Sequence, residues 1–367
     1  MKADRPKSSG MALRRRDLLR TGSAAGLALV AYGMGRTVHG QRKPTERMVT
    51  LSHSVNTTVY APHLVAQELG LFKNAGIVAS FVIPGGGARV AQAVAGDQAL
   101  FALGDSSHPV TISERGRPCL MIYGTDTRCS YANIVVRKEL WDQGLNSPEK
   151  LATMKRPDGS PRVIAATAIG SGTWVYGNVV LSQYTAHGKP VHEQVKWVSG
   201  GSSTGMLGGL KSGQFDAIMA VPIWMDAAIS QGFGAALYDV TSNEAWLRVF
   251  KGDVPTTVGY ALKATIDADP EMTQDYVTAV YRAMQWMKGH KPEEIFEKIG
   301  PKYMATFSKE EVVKEIQYYQ AIFNYDLRVT RKDFENTKRV FIPWVTEKDF
   351  TYDAIVDMRF VEQAHKA

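Results

Sequence analysis

Short apolar runs that end in Gly/Ser/Thr turns and pass straight into helices recur along this chain, and that rhythm leaves few folds open. The first run, 48–51, leads through the polar turn 53–58 into a helical stretch over 59–73. There Ala61, Leu64, Val65, Leu69 and Phe72 share one stripe at helical spacing, and Gly76 ends it. A strand over 77–83 closes on Pro84-Gly85-Gly86-Gly87 before a helix over 88–95. A strand over 99–103, the turn 104–108 and a helix over 109–115 follow. The pattern resumes with a strand over 162–166, the turn Gly170-Ser171-Gly172 and a helix over 173–187. A strand over 195–198 then leads through Gly200-Gly201-Ser202 into a helix ending near Leu210. Further strands are predicted over 217–221, 235–240 and 258–263. Strand–helix alternation with short connections means an α/β fold of parallel β-α-β units with right-handed crossovers.

Past residue 263 the pattern turns helical. Asp269 precedes Pro270 as the cap of a helix over 270–288. Ser308-Lys309-Glu310-Glu311 is a capping box for a helix to about Tyr325, and Thr330 opens another. Ala95-Gly96-Asp97-Gln98-Ala99 and Ser212-Gly213-Gln214-Phe215-Asp216 each join a helix end to a strand, which suggests two lobes of like construction. The chain should cross between lobes twice, near Arg137 and again between Val240 and Val258. Lobe one is then 41–137 with 241–345, lobe two is 138–240, and 346–367 is a C-terminal extension. Two Cys exclude a disulfide scaffold. If 120–124 and 133–137 are antiparallel neighbours, Cys119 lies far from Cys129; their pairing stays open.

The net charge of +7 is concentrated at one end: the first forty residues carry +6, and the remainder is nearly neutral. No basic footprint for nucleic acid is left in the body of the chain. Arg14-Arg15-Arg16-Asp17-Leu18-Leu19-Arg20 precedes a short, weakly apolar stretch from Thr21 to Gly33, and Val38-His39-Gly40 suits a cleavage site. That order of features is a secretory signal over 1–40. Arg15-Arg16-Asp17-Leu18-Leu19-Arg20 resembles the twin-arginine form, with Leu18 where Phe is commoner. The expected location is periplasmic, with cleavage near Gly40.

The landmarks of the mature chain resemble the substrate-binding proteins of nitrate/sulfonate/taurine-type ABC importers, a group that includes binders of thiamine-pyrimidine precursors. The resemblance covers about 49–291. It is carried by Ala61-Pro62-His63-Leu64-Val65-Ala66-Gln67-Glu68-Leu69-Gly70-Leu71-Phe72, by Gly104-Asp105-Ser106, by Gly170-Ser171-Gly172-Thr173 and by Leu210-Lys211-Ser212-Gly213-Gln214-Phe215-Asp216-Ala217. It implies a two-lobed periplasmic-binding-protein fold of type II, each lobe a sheet flanked by helices, closing on a ligand and docking on a membrane permease. The sequence departs from the family at Val221-Pro222, where many relatives carry Glu, and at Ala99, where Asp is common. The Cys-rich motif of the pyrimidine-synthesising relatives is absent.

In doubly wound sheets a ligand lies beyond the carboxyl ends of the strands. The turns there supply His53, Ser54, Asn56 and Thr57, then Gly86, then Asp105 and Ser106, then Ser171, Gly172 and Thr173. Each turn opens a helix, whose free N–H groups and dipole attract anions. N-capping is the alternative role for each Ser and Thr. Arg89 can grip a carboxylate or sulfonate bidentately, unless it is a solvated surface residue. Trp174, Trp224, Tyr60 and Tyr123 stand at strand–helix transitions as pocket walls, or else fill the cores. Tyr131 stands at another such transition. His53 and His108 read as turn hydrogen-bonders, with no metal-site spacing.

The expected protein is thus an exported, monomeric binding protein that captures a small organic anion: a sulfonate, a carboxylate or a heteroaromatic precursor. It delivers that anion to an ABC permease, with no cofactor and no covalent chemistry. A serine hydrolase is the competing class. It would use Gly201-Ser202-Ser203-Thr204-Gly205 as nucleophile turn, with Gly85-Gly86-Gly87 and His290 in support.

Overall fold

The computed structural model describes residues 46–366. They form two lobes, each built on a five-stranded sheet. The first sheet contains β1 (Arg47–Ser52), β2 (Ile77–Val82), β3 (Phe101–Asp105) and β4 (Cys119–Gly124). The second contains β5 (Asn133–Arg137), β6 (Val163–Ala166), β7 (Lys196–Ser199), β8 (Ala217–Ala220) and β9 (Gly234–Tyr238). The chain then returns to the first sheet as β10 (Thr257–Leu262). Strand orders are β2-β1-β3-β10-β4 and β9-β5-β8-β6-β7. Strands β3, β4, β6, β8 and β10 are buried along their whole length, which is why they read as unbroken apolar runs and not as alternating ones.

Not every strand is parallel as the alternation predicts. Strand β5 runs antiparallel to β8 and β9, and β10 runs antiparallel to β3 and β4. Both are the first strand laid down after the chain crosses between lobes. A chain arriving from the other lobe enters at the carboxyl edge of the parallel strands, so its first strand must run against them. This corrects the expected boundary: 133–137 belongs to the second sheet, not to lobe one, and it does not pair with β4. The first crossing is therefore 125–132, and the second is 239–256.

The two crossings are fastened together. Asp126 accepts from the backbone N–H groups of Thr256 (2.7 Å) and Thr257 (3.0 Å), and Val254 N–H donates to Thr127 O at 2.9 Å. Cys119 and Cys129 are both buried and free.

Helices α1 (Ala61–Glu68), α2 (Gly87–Ala95) and α3 (Ser107–Glu114) flank the first sheet. The single helix expected over 59–73 is broken at Gly70, whose φ of 66° is left-handed. Helices α4 (Gly172–Ser182), α5 (Ser203–Lys211) and α6 (Pro222–Ser230) flank the second. The C-terminal helices start where the caps predict. Asp269 caps α7 (Pro270–Lys288) by accepting from Met272 N–H at 2.8 Å, and Ser308 with Glu311 boxes the start of α8 (Lys309–Ile322). Thr330 and Asp333 bond reciprocally at the start of α9 (Arg331–Val345).

These helices do not belong to lobe one alone. Helix α8 packs on α6, and α9 packs on α4, so both reach lobe two. Residues after 345 fold back on lobe one, where Val356 bridges Met121 of β4. Among the described residues no helix is long and apolar enough to cross a membrane. The proposed signal over 1–40 lies outside them.

Candidate functional site

The carboxyl ends of the parallel strands of both sheets face one cleft, and the turns that follow them meet there. A cavity of about 40 Å³ lies between the lobes. Lobe one contributes Ser54, Thr57, Tyr60 and Asp105, and lobe two contributes Ser171, Gly172, Thr173 and Trp224. Eight of the fifteen residues singled out from the sequence are thus brought together. Val55, Val59, Gly87, His108, Tyr131, Thr167, Val221 and Thr257 complete the lining. A space of this size holds only a few water molecules, at ~10–15 Å³ each, so the lobes stand closed.

Asp105 is the charged group of this cavity and is 6% exposed. One carboxylate oxygen accepts from the N–H (2.9 Å) and the hydroxyl of Ser107; the other accepts from the Tyr131 hydroxyl at 2.6 Å. Burial, and secondarily the Asp105 charge, hold Tyr131 well above its ordinary pKa, so it remains a donor. The same carboxylate abuts Gly172 across the cleft: a Cβ there would overlap it and come within 3.0 Å of the Tyr131 ring. The N-terminus of α4 therefore already faces an anion. The sequence offers that end of α4 to the anionic head of a ligand; Asp105 stands at the same place. No Lys or Arg lines the cavity.

Four polar atoms of the lining are buried without a partner: Thr57 Oγ1, Thr257 Oγ1, Trp224 Nε1 and His108 Nε2. Burial lowers the His108 pKa, and its Nδ1 lies 3.0 Å from the Tyr260 hydroxyl. Buried polar groups left unmade cost ~1–3 kcal/mol each, so four converging on one cavity describe anchors for a polar guest. The hydroxyls of Thr167, Ser171 and Thr173 are different. They bond one another at 2.8–3.1 Å, and Ser171 donates to Ala168 O at 2.6 Å. They tie the turn together and do not cap α4 through a side chain.

The remaining predicted residues lie elsewhere. His53 is fully buried behind Tyr60, stacked at 5.0 Å, and its Nε2 lies 3.1 Å from Asn56 Oδ1. Burial pulls its pKa down to about 4, so it is neutral. Gly86 makes the interlobe approach: a Cβ would stand 3.2 Å from Thr167 O. Ser106 is buried but does not line the cavity. Arg89 is exposed and donates to Pro84 O, so it grips nothing in the cleft. Tyr123 is a core residue, bonded to the Tyr276 hydroxyl at 2.7 Å, and Tyr276 in turn lies 2.6 Å from His63. Trp174 faces a second cavity.

Sequence reading misses Thr257 for a physical reason: it begins an antiparallel strand and so stands outside the turns that follow parallel strands. Tyr131, one of the aromatics noted at strand–helix transitions, lies on a crossing segment and does reach the cavity. His108 carried a signal, as a polar turn residue, but was read as a local hydrogen-bonder.

A further group joins the lobes beside the cavity. Glu315 on α8 is buried and accepts from Thr58 Oγ1 (2.5 Å) in lobe one and from Ile223 N–H (3.3 Å) at the start of α6 in lobe two. Burial raises its pKa to about 7. The preceding residue, Lys314, pairs with Asp226 at 2.7 Å.

The hydrolase arrangement is not assembled. Ser203 is the first residue of α5, whereas the His290 ring stacks on Trp286 at 3.9 Å with Nδ1 2.6 Å from Trp286 O. Among the described residues no group of three or more His, Cys, Asp or Glu is placed to hold a metal ion.

The model of the NMT1-like family matches residues 42–299. No curated protein matches the sequence. A solved structure from Bordetella bronchiseptica is similar with a TM-score of 0.75 and 22% identity, covering 87% of this chain and 97% of that one. The periplasmic nitrate-binding protein NrtA of Synechocystis superimposes with a TM-score of 0.68 at 12% identity, covering 89% and 90%. The alkanesulfonate-binding protein SsuA of Xanthomonas axonopodis, bound to MOPS, gives 0.65 at 11% identity, covering 86% and 99%. These likenesses establish the periplasmic-binding-protein fold.

Proposed function

Because the chain belongs to the NMT1-like family, we propose that it is a solute-binding protein that encloses one small molecule between its lobes and passes it to an ABC importer. The observation that carries this reading is the convergence of four unpartnered buried polar atoms on a cavity shared by both lobes. Nitrate and alkanesulfonate binding by structural neighbours supports the class of function. The signal-like segment over 1–40 supports export to the periplasm, where the protein would act as a monomer.

The chemistry of the inner cavity favours a solute other than the small anion expected from the sequence. The cavity holds a carboxylate and no cation. An anion placed there would meet Asp105 in a poorly screened site, whereas an N–H or O–H group of a neutral or cationic solute can donate to it. Thr57, Thr257 and the Trp224 N–H then fix the rest of the solute. Thermal-shift measurements with the smallest amides and amines, set against nitrate and taurine, test the assignment. A bound solute stabilises the folded state by ~2.7 kcal/mol at a hundredfold excess over its Kd.

A further inference from the structure

Outside the cleft's inner cavity, a second cavity of about 350 Å³ opens between the lobes on the far side of His108. His108 lines both cavities, is 2% exposed, and leaves Nε2 without a partner. The outer cavity is bounded by α2 and α3 of lobe one, by Ile169, Gly170 and Trp174 of lobe two, and by Trp344 in the last turn of α9. Trp344 is set by an edge contact with the His192 ring at 4.8 Å.

The two cavities differ in charge. Asp105 lines the inner one, with no cation. Arg115 and Arg117 line the outer one, with no Asp or Glu. Arg117 is paired with Asp97 at 3.0 Å, while Arg115 has no carboxylate partner among the described residues. Two indoles, apolar Ala88, Ala91 and Ile112, and one uncommitted guanidinium make a site for a flat ring bearing negative charge. The volume is ample, since a cavity of ~150 Å³ accommodates a single benzene ring. His108 Nδ1 lies 3.0 Å from the Tyr260 hydroxyl, which leaves the ring's Nε2 as an unpartnered polar atom at this cavity.

We propose that this outer cavity binds an aromatic carboxylate or sulfonate, held by Arg115 and by the indoles of Trp174 and Trp344. The inference goes beyond the inner-cleft assignment and does not depend on it. Because Arg115 belongs to lobe one and Trp174 to lobe two, an aromatic anion here also favours the closed arrangement.

Benzoate and benzenesulfonate titrated into the full chain, followed by calorimetry and tryptophan fluorescence, test the site. Saturable binding of both is expected, with none for benzylamine and none for taurine, which lacks a ring. Arg115→Gln, at an exposed position that cannot unfold the chain, should weaken binding by about tenfold, as should Trp174→Ala. Trp174→Phe should retain most of the affinity, and Thr57→Val in the inner cavity should leave the benzoate affinity at its parent value. Absence of saturable benzoate binding overturns the proposal. So does binding that Arg115→Gln and Trp174→Ala leave intact, or that Thr57→Val abolishes; the last result would place the anion in the inner cavity and refute its chemistry as well.

Discussion

The Asp105 carboxylate of lobe one occupies the space in which a side chain at Gly172 of lobe two would begin. The contact exists only when the lobes are together, so residue 172 reports closure. Gly172→Ala should weaken solute binding by ~1–3 kcal/mol through overlap in the closed state. It should leave the melting temperature without solute nearly unchanged, because the open lobes relieve the overlap. Calorimetry and thermal melts on the same variant separate these effects. A large loss of melting temperature with unaltered affinity would mean that the contact belongs to a rigid core.

Thr57 and Thr257 bring buried hydroxyls to the inner cavity with no partner. Replacing either by Val removes an unsatisfied group at almost equal volume. Stability should stay constant or rise, while affinity falls by ~0.5–1.5 kcal/mol for each lost hydrogen bond. A fall in stability without a change in affinity would assign these hydroxyls a structural part.

Glu315 gives folding stability a pH dependence. Burial raises its carboxyl from an ordinary 4.5 to about 7, against the hydrogen bonds from Thr58 and Ile223 that favour the anion; the nearby Asp226 acts with burial. Between about 4.5 and 7 the folded protein therefore holds a proton that the unfolded chain has released. The contribution of this group is full below pH 4.5 and is lost as pH rises through 7, by ~3 kcal/mol. Glu315→Gln should accordingly melt higher relative to the parent at pH 8 than at pH 5. Equal differences at both pH values would contradict the assignment.

Export rests on the residues before 41. Arg15→Lys with Arg16→Lys should hold the precursor inside the cell, detected by fractionation, if the twin-arginine route reads that pair. Normal accumulation of the double variant in the periplasm would point to another route.

Much of this architecture was legible because local signals agreed with the global fold. The caps at Asp269, Ser308 and Thr330 set three helix starts, and the Gly/Ser/Thr turns marked the strand ends that meet at the cleft. What was hidden depends on direction and partnership. Strand β5 reads like any short apolar run, and only its entry from the cleft makes it antiparallel and places it in lobe two. Arg89 and Trp174 have the right chemistry at the right turn, but helix phase turns one to solvent and the other to the outer cavity. Asp105 stands among the site residues named from the sequence; that it faces the start of α4 needed the two lobes in contact.

The central claim is that the closed cleft holds a small solute through Asp105 and the unpartnered groups around it. Thermal shift of the full chain with neutral and cationic hydrogen-bond donors, beside nitrate and taurine, tests it most directly. Stabilisation by a member of the first group is expected, reduced by Thr57→Val and Thr257→Val, and none by nitrate or taurine. Stabilisation by nitrate or taurine that survives both substitutions, or by no small solute of either kind, would contradict it.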